Sequence, residues 1–209
     1  MKYFTGPFGN LLLMLKKIVI IGPESTGKST LCEQLAQHYN TLWCPEYARE
    51  YLLEHGMKYS YADLLTMAKG QIELEDNYES LVKNSESGVQ SDPPGNDAGL
   101  RTLNAELLFV DTNMYVMKVW CEFVFGKCHQ YILDQIAQRK YELYLLCNVD
   151  LPWTHDALRE YPDLERRQKL YQMYRDLMIN QKVAWTEISG DSQQRFKKAV
   201  QSVDSLLKE

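Results

Sequence analysis

The sequence has no run of basic residues, no long apolar run and no closely spaced cysteine pair. Its 209 residues include 23 Lys and Arg against 28 Asp and Glu, which gives a formal net charge of −5. Clustered Lys and Arg supply the affinity of a nucleic-acid groove, and here they are missing. No segment approaches the roughly 20 apolar residues that span a bilayer, and residues 11–15 are too few for the core of a secretory signal. We therefore expect no nucleic-acid or membrane partner and a cytoplasmic location; the oligomeric state is left open.

The cysteines and histidines also exclude several kinds of site. The five cysteines are odd in number and include no C-x-x-C pair, which predicts free thiols in a reducing compartment. They are Cys32, Cys44, Cys121, Cys128 and Cys147. The four histidines fall on separate predicted elements, and none has a nucleophile and an acid placed as in a catalytic triad.

What the sequence does contain is a phosphate-binding loop, the P-loop. Gly22, Gly27, Lys28 and Ser29 satisfy the pattern G-x-x-x-x-G-K-[ST]. A short apolar strand pattern at residues 16–21 precedes the loop, and apolar residues at helical spacing follow it. Strand, loop and helix start in this order direct backbone N–H groups and a helix dipole at one phosphate chain.

The P-loop predicts a site for ATP and Mg²⁺. Lys28 is expected to reach the β- and γ-phosphates, and the Ser29 hydroxyl is expected to bind the metal ion. The residues predicted to bind the nucleotide are Gly22, Pro23, Glu24, Ser25, Thr26, Gly27, Lys28, Ser29 and Thr30.

Strand patterns alternate with helix patterns along the rest of the chain. Further strands are predicted at residues 41–44, 107–110, 142–147 and 183–188, with helices at 47–55, from 60 onward, 112–125, 129–139, 163–180 and 192–207. Five strands, each followed by a helix, imply an α/β fold of the P-loop NTPase type, with a five-stranded parallel sheet and helices on both faces. We expect one domain over residues 14–209, a disordered extension at 1–13 and a flexible loop at about 84–104.

The long helix from residue 60 is expected to carry one buried stripe. The stripe consists of Leu64, Met67, Leu74, Tyr78 and Leu81.

Several polar residues follow the predicted strands, where a parallel sheet carries its chemistry. Asp111 ends an apolar strand, as a Walker-B acid that holds Mg²⁺ does. The alternative is that Asp111 caps the following helix. Asn148 and Asp150 come just after the next strand in the chain.

Glu46 follows the second strand and is a candidate catalytic base. It could accept the proton of an attacking hydroxyl, or it could only stabilise the dipole of the next helix. The neighbouring Arg49 could pair with the transferred phosphate, or with Glu46 or Glu50.

Three arginines follow the fourth strand, on a segment that could serve as a small lid. Arg159 is expected to close over the phosphates as a catalytic residue. Arg166 and Arg167 are expected to lie on an exposed helix face, paired with nearby acids.

Four sequence blocks together resemble the ribosylnicotinamide kinase domain of NadR-type proteins. The blocks are IIGPESTGKST at 20–30, PEYARE at 45–50, FVDT at 109–112 and PWTHDALR at 152–159. Their order and spacing agree with that family over about residues 15–205. The resemblance implies a nucleoside- or nucleotide-kinase-like fold and ATP-dependent phosphorylation of nicotinamide riboside at its 5′-hydroxyl, giving nicotinamide mononucleotide for NAD salvage.

The acceptor side departs from the family pattern. Pro45 stands where some members carry an aromatic residue, and Thr154-His155 stand where acidic or apolar residues are more usual. Tyr47, Trp153 or Tyr78 could hold the pyridine ring instead. A kinase for another nucleoside or small alcohol, or a non-catalytic ATP-binding regulatory module, are the alternatives. A regulatory GTPase is disfavoured, because no D-x-x-G follows Asp111 and no N-K-x-D follows the fourth strand.

Overall fold

The computed structural model of the protein describes residues 14–85 and 103–208. In these ranges the strands are β1 (Lys16–Ile21), β2 (Leu42–Cys44), β3 (Leu107–Asp111), β4 (Leu143–Cys147) and β5 (Ala184–Ile188). The helices are α1 (Lys28–Tyr39), α2 (Tyr47–His55), α3 (Tyr61–Ser85), α4 (Met114–Phe125), α5 (Gln130–Gln138), α6 (Leu164–Asn180) and α7 (Ser192–Leu207). The extension predicted at 1–13 and residues 86–102 of the predicted loop lie outside the described residues.

The five strands form one parallel sheet in the order β2-β3-β1-β4-β5, which confirms the predicted fold class. All five residues of β3 and of β4 are buried, as strands covered on both faces should be. The central strand β1 has β3 on one side and β4 on the other. Its carboxyl end therefore opens at the point where the strand order reverses, which is where α/β sheets bind ligands.

Helices cover both faces of the sheet because successive side chains of each strand point to opposite sides. On one face Ile18 and Ile20 of β1 belong to a buried cluster with residues of α1 and α7. On the other face Val19 and Ile21 belong to a cluster with residues of α3, α4 and α6. A third cluster joins α2, α3, α4 and α5 beside the sheet, and it positions α2 and α4 at the rim.

The stripe predicted on α3 is partly wrong. Leu64 and Met67 are fully buried, whereas the Leu81 side chain is 46% exposed. The buried face instead includes Glu75 and Val82. Glu75 can lie on this face because it has partners there.

Glu75 ties α3 to the lower end of the sheet through a buried ionic network. Its Oε1 lies 2.9 Å from Lys17 Nζ and 3.2 Å from Arg139 Nη1, and its Oε2 accepts a 2.9 Å hydrogen bond from the Tyr141 hydroxyl. A buried carboxylate is tolerated when it is paired in this way. No apolar periodicity could have predicted an acid on the buried face.

Two substitutions on α3 test this orientation of the helix. We expect Leu64→Ala to lower the free energy of unfolding by about 2–5 kcal/mol, because it removes fully buried methyl groups. Leu81→Ala, the matched control, should change it by about 0.5 kcal/mol or less. Urea denaturation of both variants measures the difference. Equal losses would show that Leu81 is buried after all.

Candidate active site

The P-loop leaves β1 in a conformation that requires glycine at both glycine positions of the motif. Gly22 has a φ of 141°, and a Cβ atom there would lie 2.6 Å from the backbone oxygen of Cys147. Gly27 has a φ of 77° and directly precedes α1. The loop can therefore pass close to β4 and end with its N–H groups at a helix N-terminus.

Side chains of the loop close it on itself. Thr26 Oγ1 donates a 2.7 Å hydrogen bond to the Pro23 carbonyl, and Lys28 Nζ donates one of 3.0 Å to the same oxygen. Lys28 thus lies across the loop, where an incoming phosphate group would meet it.

The loop is joined to β3 by a hydrogen bond between two predicted metal ligands. Ser29 Oγ donates to Asp111 Oδ2 at 2.5 Å. Asp111 is 1% exposed, and burial raises its pKa, with Lys28 and the Ser29 hydroxyl acting in the opposite direction. Its other oxygen, Oδ1, is buried and makes no hydrogen bond within the described residues. A hydroxyl beside a carboxylate with a spare oxygen fits a hard cation such as Mg²⁺.

The alternative role of Asp111 as a helix cap is wrong. Helix α4 begins at Met114, and its N-cap is Asn113, whose Oδ1 accepts a 3.0 Å hydrogen bond from the Tyr115 N–H. Asp111 lies too early in the chain to cap α4 and points into the site instead.

Glu46 stands at the N-terminus of α2 and lines the same cleft as the P-loop. Its side chain makes no capping hydrogen bond. Burial raises the pKa of Glu46 to about 7, with Lys28 opposing the shift and Asp111 and Glu24 adding to it. Arg49 is paired with neither Glu46 nor Glu50, the partners considered from sequence; its Nη2 lies 2.9 Å from Asp156 Oδ2.

Residues 149–163 form a lid segment that crosses the P-loop between β4 and α6. Arg159 Nη1 donates a 3.3 Å hydrogen bond to Ser25 Oγ, which also accepts a 3.0 Å bond from the Thr154 N–H. The Glu24 carboxylate accepts from the N–H groups of Glu160, at 3.0 Å, and of Tyr161. The lid segment is therefore hydrogen-bonded to Glu24 and Ser25, which occupy x positions of the P-loop motif, and Arg159 lies beside the loop.

The expectation for Arg167 is wrong. Arg166 is exposed, with its Nε 3.7 Å from Asp163 Oδ2, as expected. Arg167 is only 3% exposed, and its Nη2 donates to the carbonyls of Ser25, at 3.2 Å, and of Leu151, at 3.4 Å. It faces the P-loop because that side of α6 packs on the sheet.

The cleft next to the P-loop has a volume of about 220 Å³. Beyond the P-loop one part of its wall is apolar and aromatic. This part includes Leu52, Trp120, Phe123, Leu158, Tyr161 and Tyr174. None of the three rings considered from sequence is among the lining residues. Tyr47 packs on Gly70, and Tyr78 packs on the core of the sheet. The centre of the Trp153 ring lies 5.9 Å from the guanidinium carbon of Arg159 and 5.6 Å from that of Arg167.

Comparison with known proteins agrees with this geometry. The chain matches a family described as AAA domain over residues 17–195, which is most of its length. The chain belongs to this family.

Two curated relatives of this AAA domain are trifunctional NAD biosynthesis/regulator proteins named NadR. The one from Salmonella typhimurium is 24% identical over 200 residues, and the one from Escherichia coli is 23% identical over 197 residues. Each match covers 93% of this chain but 43% of the relative, so the chain spans less than half of their length. The resemblance to NadR-type proteins is thus confirmed.

Solved structures share the fold of this AAA domain. A NadR protein in complex with NR gives a TM-score of 0.67 at 20% identity, covering 92% of this chain and 50% of that one. A NadR protein in complex with NAD and AMP-PNP gives 0.64 at 20% identity, covering 94% and 50%. Thymidylate kinase from Candida albicans gives 0.58 at 15% identity, covering 93% of both chains. These likenesses confirm a P-loop kinase fold.

Sequence reasoning missed Arg195, which holds the rim of this AAA domain together. Arg195 is 4% exposed and donates to the carbonyls of Gly190, Thr26 and Asn148 at 2.8, 3.1 and 3.0 Å. It also forms an ion pair with Asp150. The one available signal was its place on the buried stripe of α7, one helical turn before Ala199.

The aromatic walls were also missed. Trp120 and Phe123 belong to α4, whose sequence is apolar on several sides, so nothing distinguished cleft residues from core residues. The cysteines are free thiols as predicted, and four of the five are buried. None of the helices within 14–85 and 103–208 has the length and apolar character that crossing a membrane requires.

The raised pKa of Glu46 makes the stability of the protein depend on pH. The carboxyl group has an ordinary pKa of 4.5 when unfolded and about 7 when folded, so folding favours its protonated form. This contribution is fully present below pH 4.5 and is lost as the pH rises through 7. Compared with wild type, Glu46→Gln should therefore gain stability as the pH rises through this window. Urea denaturation at about pH 5 and pH 8, without nucleotide and with a metal chelator, measures the change.

Glu50→Gln is the control, since Glu50 is an exposed acid on the same helix. It should follow the wild type at both pH values. A Glu46→Gln difference that does not change with pH would mean that the carboxyl group is not held in a desolvated position.

Proposed function

We propose that this chain is an ATP-dependent small-molecule kinase that phosphorylates the 5′-hydroxyl of nicotinamide riboside to give nicotinamide mononucleotide. The observation that carries the proposal is the composition of one cleft. The P-loop, a carboxylate with a raised pKa and a set of aromatic walls all line it. A phosphate donor and a ring-bearing acceptor can therefore be bound side by side.

The donor half consists of the P-loop and its partners. Loop N–H groups and Lys28 bind the phosphates of ATP, and Ser29 and Asp111 would hold Mg²⁺. The metal ion, when bound, neutralises charge on the phosphates. The spare Oδ1 of Asp111 supports this assignment.

Glu46 is the residue best suited to activate the acceptor. A carboxyl group with a pKa of about 7 is partly ionised at neutral pH, so it can accept the proton of the attacking hydroxyl. As the oxygen of that hydroxyl bonds to the γ-phosphorus, the bond from phosphorus to ADP breaks and the proton passes to Glu46.

Arg159 neutralises negative charge from the lid side. Its guanidinium lies 3.3 Å from Ser25 Oγ, at the tip of the P-loop. Arg167 Nη2 lies 3.2 Å from the carbonyl of the same residue. Both groups lie beside the loop that binds the phosphates, where their positive charge can act on the transferred group.

The relatives support the choice of acceptor. NadR proteins are described as acting in NAD biosynthesis, and one solved NadR structure contains NR. A kinase for another nucleoside is the second candidate, because aromatic walls can stack on other bases and thymidylate kinase has the same fold.

Removing Lys28 tests the donor half. We expect Lys28→Ala to abolish measurable phosphoryl transfer, since the loop then lacks the cation that meets the β- and γ-phosphates. Lys58→Ala, at an exposed lysine outside the cleft, should retain wild-type turnover. Release of ADP is the measurement. Wild-type turnover by Lys28→Ala would rule out the proposed site.

Glu46→Gln tests the proposed base. We expect kcat to fall by about 100-fold or more, the usual contribution of general-base catalysis, while the affinity for ATP is kept. Steady-state kinetics and ATP titration separate the two effects, and Glu50→Gln again serves as control. An unchanged kcat would leave Glu46 with no role in proton transfer.

A further inference from the structure

The acceptor part of the cleft has aromatic walls that already attract cations. Arg166 lies 5.8 Å from the centre of the Tyr161 ring, and Lys169 lies 5.7 Å from that of Phe123. The faces of aromatic rings carry negative electrostatic potential, which stabilises a nearby positive charge. Arg166 and Lys169 are exposed, so water and salt screen their repulsion of a bound cation.

The acids of the cleft form a group of their own. Glu24, Glu46 and Glu160 all line it. Glu24 and Glu160 are in direct contact, because Glu24 Oε2 accepts a 3.0 Å hydrogen bond from the Glu160 N–H, and the charge of Glu24 raises the pKa of Glu46.

The cations that line the same cleft are engaged at its edges. Lys28 bonds to the Pro23 carbonyl, Arg159 bonds to Ser25 and to the Thr154 carbonyl, and Arg49 pairs with Asp156. Once ATP is bound, its phosphates occupy Lys28 as well. Within the described residues none of these three cations is paired with Glu160, whose Oε2 accepts a hydrogen bond from the Tyr59 hydroxyl instead.

Glu160 is fixed beside one aromatic wall by two hydrogen bonds in sequence. The Trp120 Nε1–H donates to the Tyr59 hydroxyl at 2.8 Å, and that hydroxyl donates to Glu160 Oε2 at 3.0 Å. Burial raises the pKa of Tyr59, so it remains a donor. The backbone N–H of Glu160 donates a 3.0 Å hydrogen bond to Glu24 of the P-loop. The Glu160 carboxylate is therefore held in place from both its side chain and its backbone.

We propose that Glu160 determines specificity by making this cleft prefer an acceptor with a cationic aromatic ring over a neutral ring of the same shape. The inference rests on the proposed function and deepens it. The pyridinium ring of nicotinamide riboside carries a positive charge, which the Glu160 carboxylate and the face of Trp120 would stabilise together. Its dihydropyridine form has nearly the same size and the same 5′-hydroxyl, but no charge on the ring.

The test compares these two acceptors at saturating ATP in wild type, Glu160→Gln and Glu165→Gln. The amide oxygen introduced by Glu160→Gln can still accept the hydrogen bond from Tyr59, so this variant removes the charge and keeps the contact. Glu165 is an exposed acid on α6 and serves as the matched control. The measured quantity is the ratio of kcat/KM for the cationic acceptor to that for the neutral one.

We expect the ratio of kcat/KM to favour the cationic acceptor by about tenfold in wild type and in Glu165→Gln. This is the effect expected when one nearby negative charge and one cation–π contact together stabilise a bound cation. Glu160→Gln should lose most of this preference through a higher KM for the cation, with a much smaller change in kcat/KM for the neutral acceptor. Tyr59→Phe, which frees the carboxylate, should lower the ratio in the same direction.

Two results overturn the inference while the proposed function stands. In one, both acceptors are phosphorylated and Glu160→Gln keeps the wild-type ratio. In the other, Glu160→Gln lowers both rates equally, as a purely structural role would. If wild type phosphorylates neither acceptor, the proposed function and the inference both fail.

Discussion

The hydrogen bond between Ser29 and Asp111 joins the P-loop to the neighbouring strand, and the rest of the site depends on it. It can form because β1 and β3 are parallel neighbours with Ile20 opposite Asp111. That register brings the last residue of β3 level with the loop that leaves β1. The phosphate-binding loop and its acid therefore lie side by side at one end of the sheet.

The residues at the x positions of the P-loop motif connect the loop to the rest of the rim. Glu24 and Ser25 hold the lid segment, and the Thr26 carbonyl accepts from Arg195. The loop thus fixes the lid on one side and α7 on the other. Contacts of this kind hold the donors of the loop in fixed positions, which lowers the cost of ordering them around a phosphate chain.

The sequence predicted the sheet well and the acceptor site poorly, for physical reasons. A strand buried on both faces is a short apolar run next to a turn, so β3 and β4 could be recognised locally. The P-loop and Asp111 follow from strand ends in the same way. Arg167, Arg195 and Trp120 could not be placed, because their roles depend on which distant segment packs against them. Leu81 was misplaced for a related reason: the core residues that pack against Val82, and the partners of Glu75 on the same face of α3, come from other parts of the chain.

The most direct test of the central claim is ADP release by the wild-type protein with ATP, Mg²⁺ and a panel of ribosides. The account predicts ADP release with nicotinamide riboside above all others, together with a product phosphorylated at the 5′-hydroxyl in equal amount. Binding of ATP with no turnover on any riboside would contradict it and would favour a nucleotide-dependent sensor that uses the same fold without catalysis.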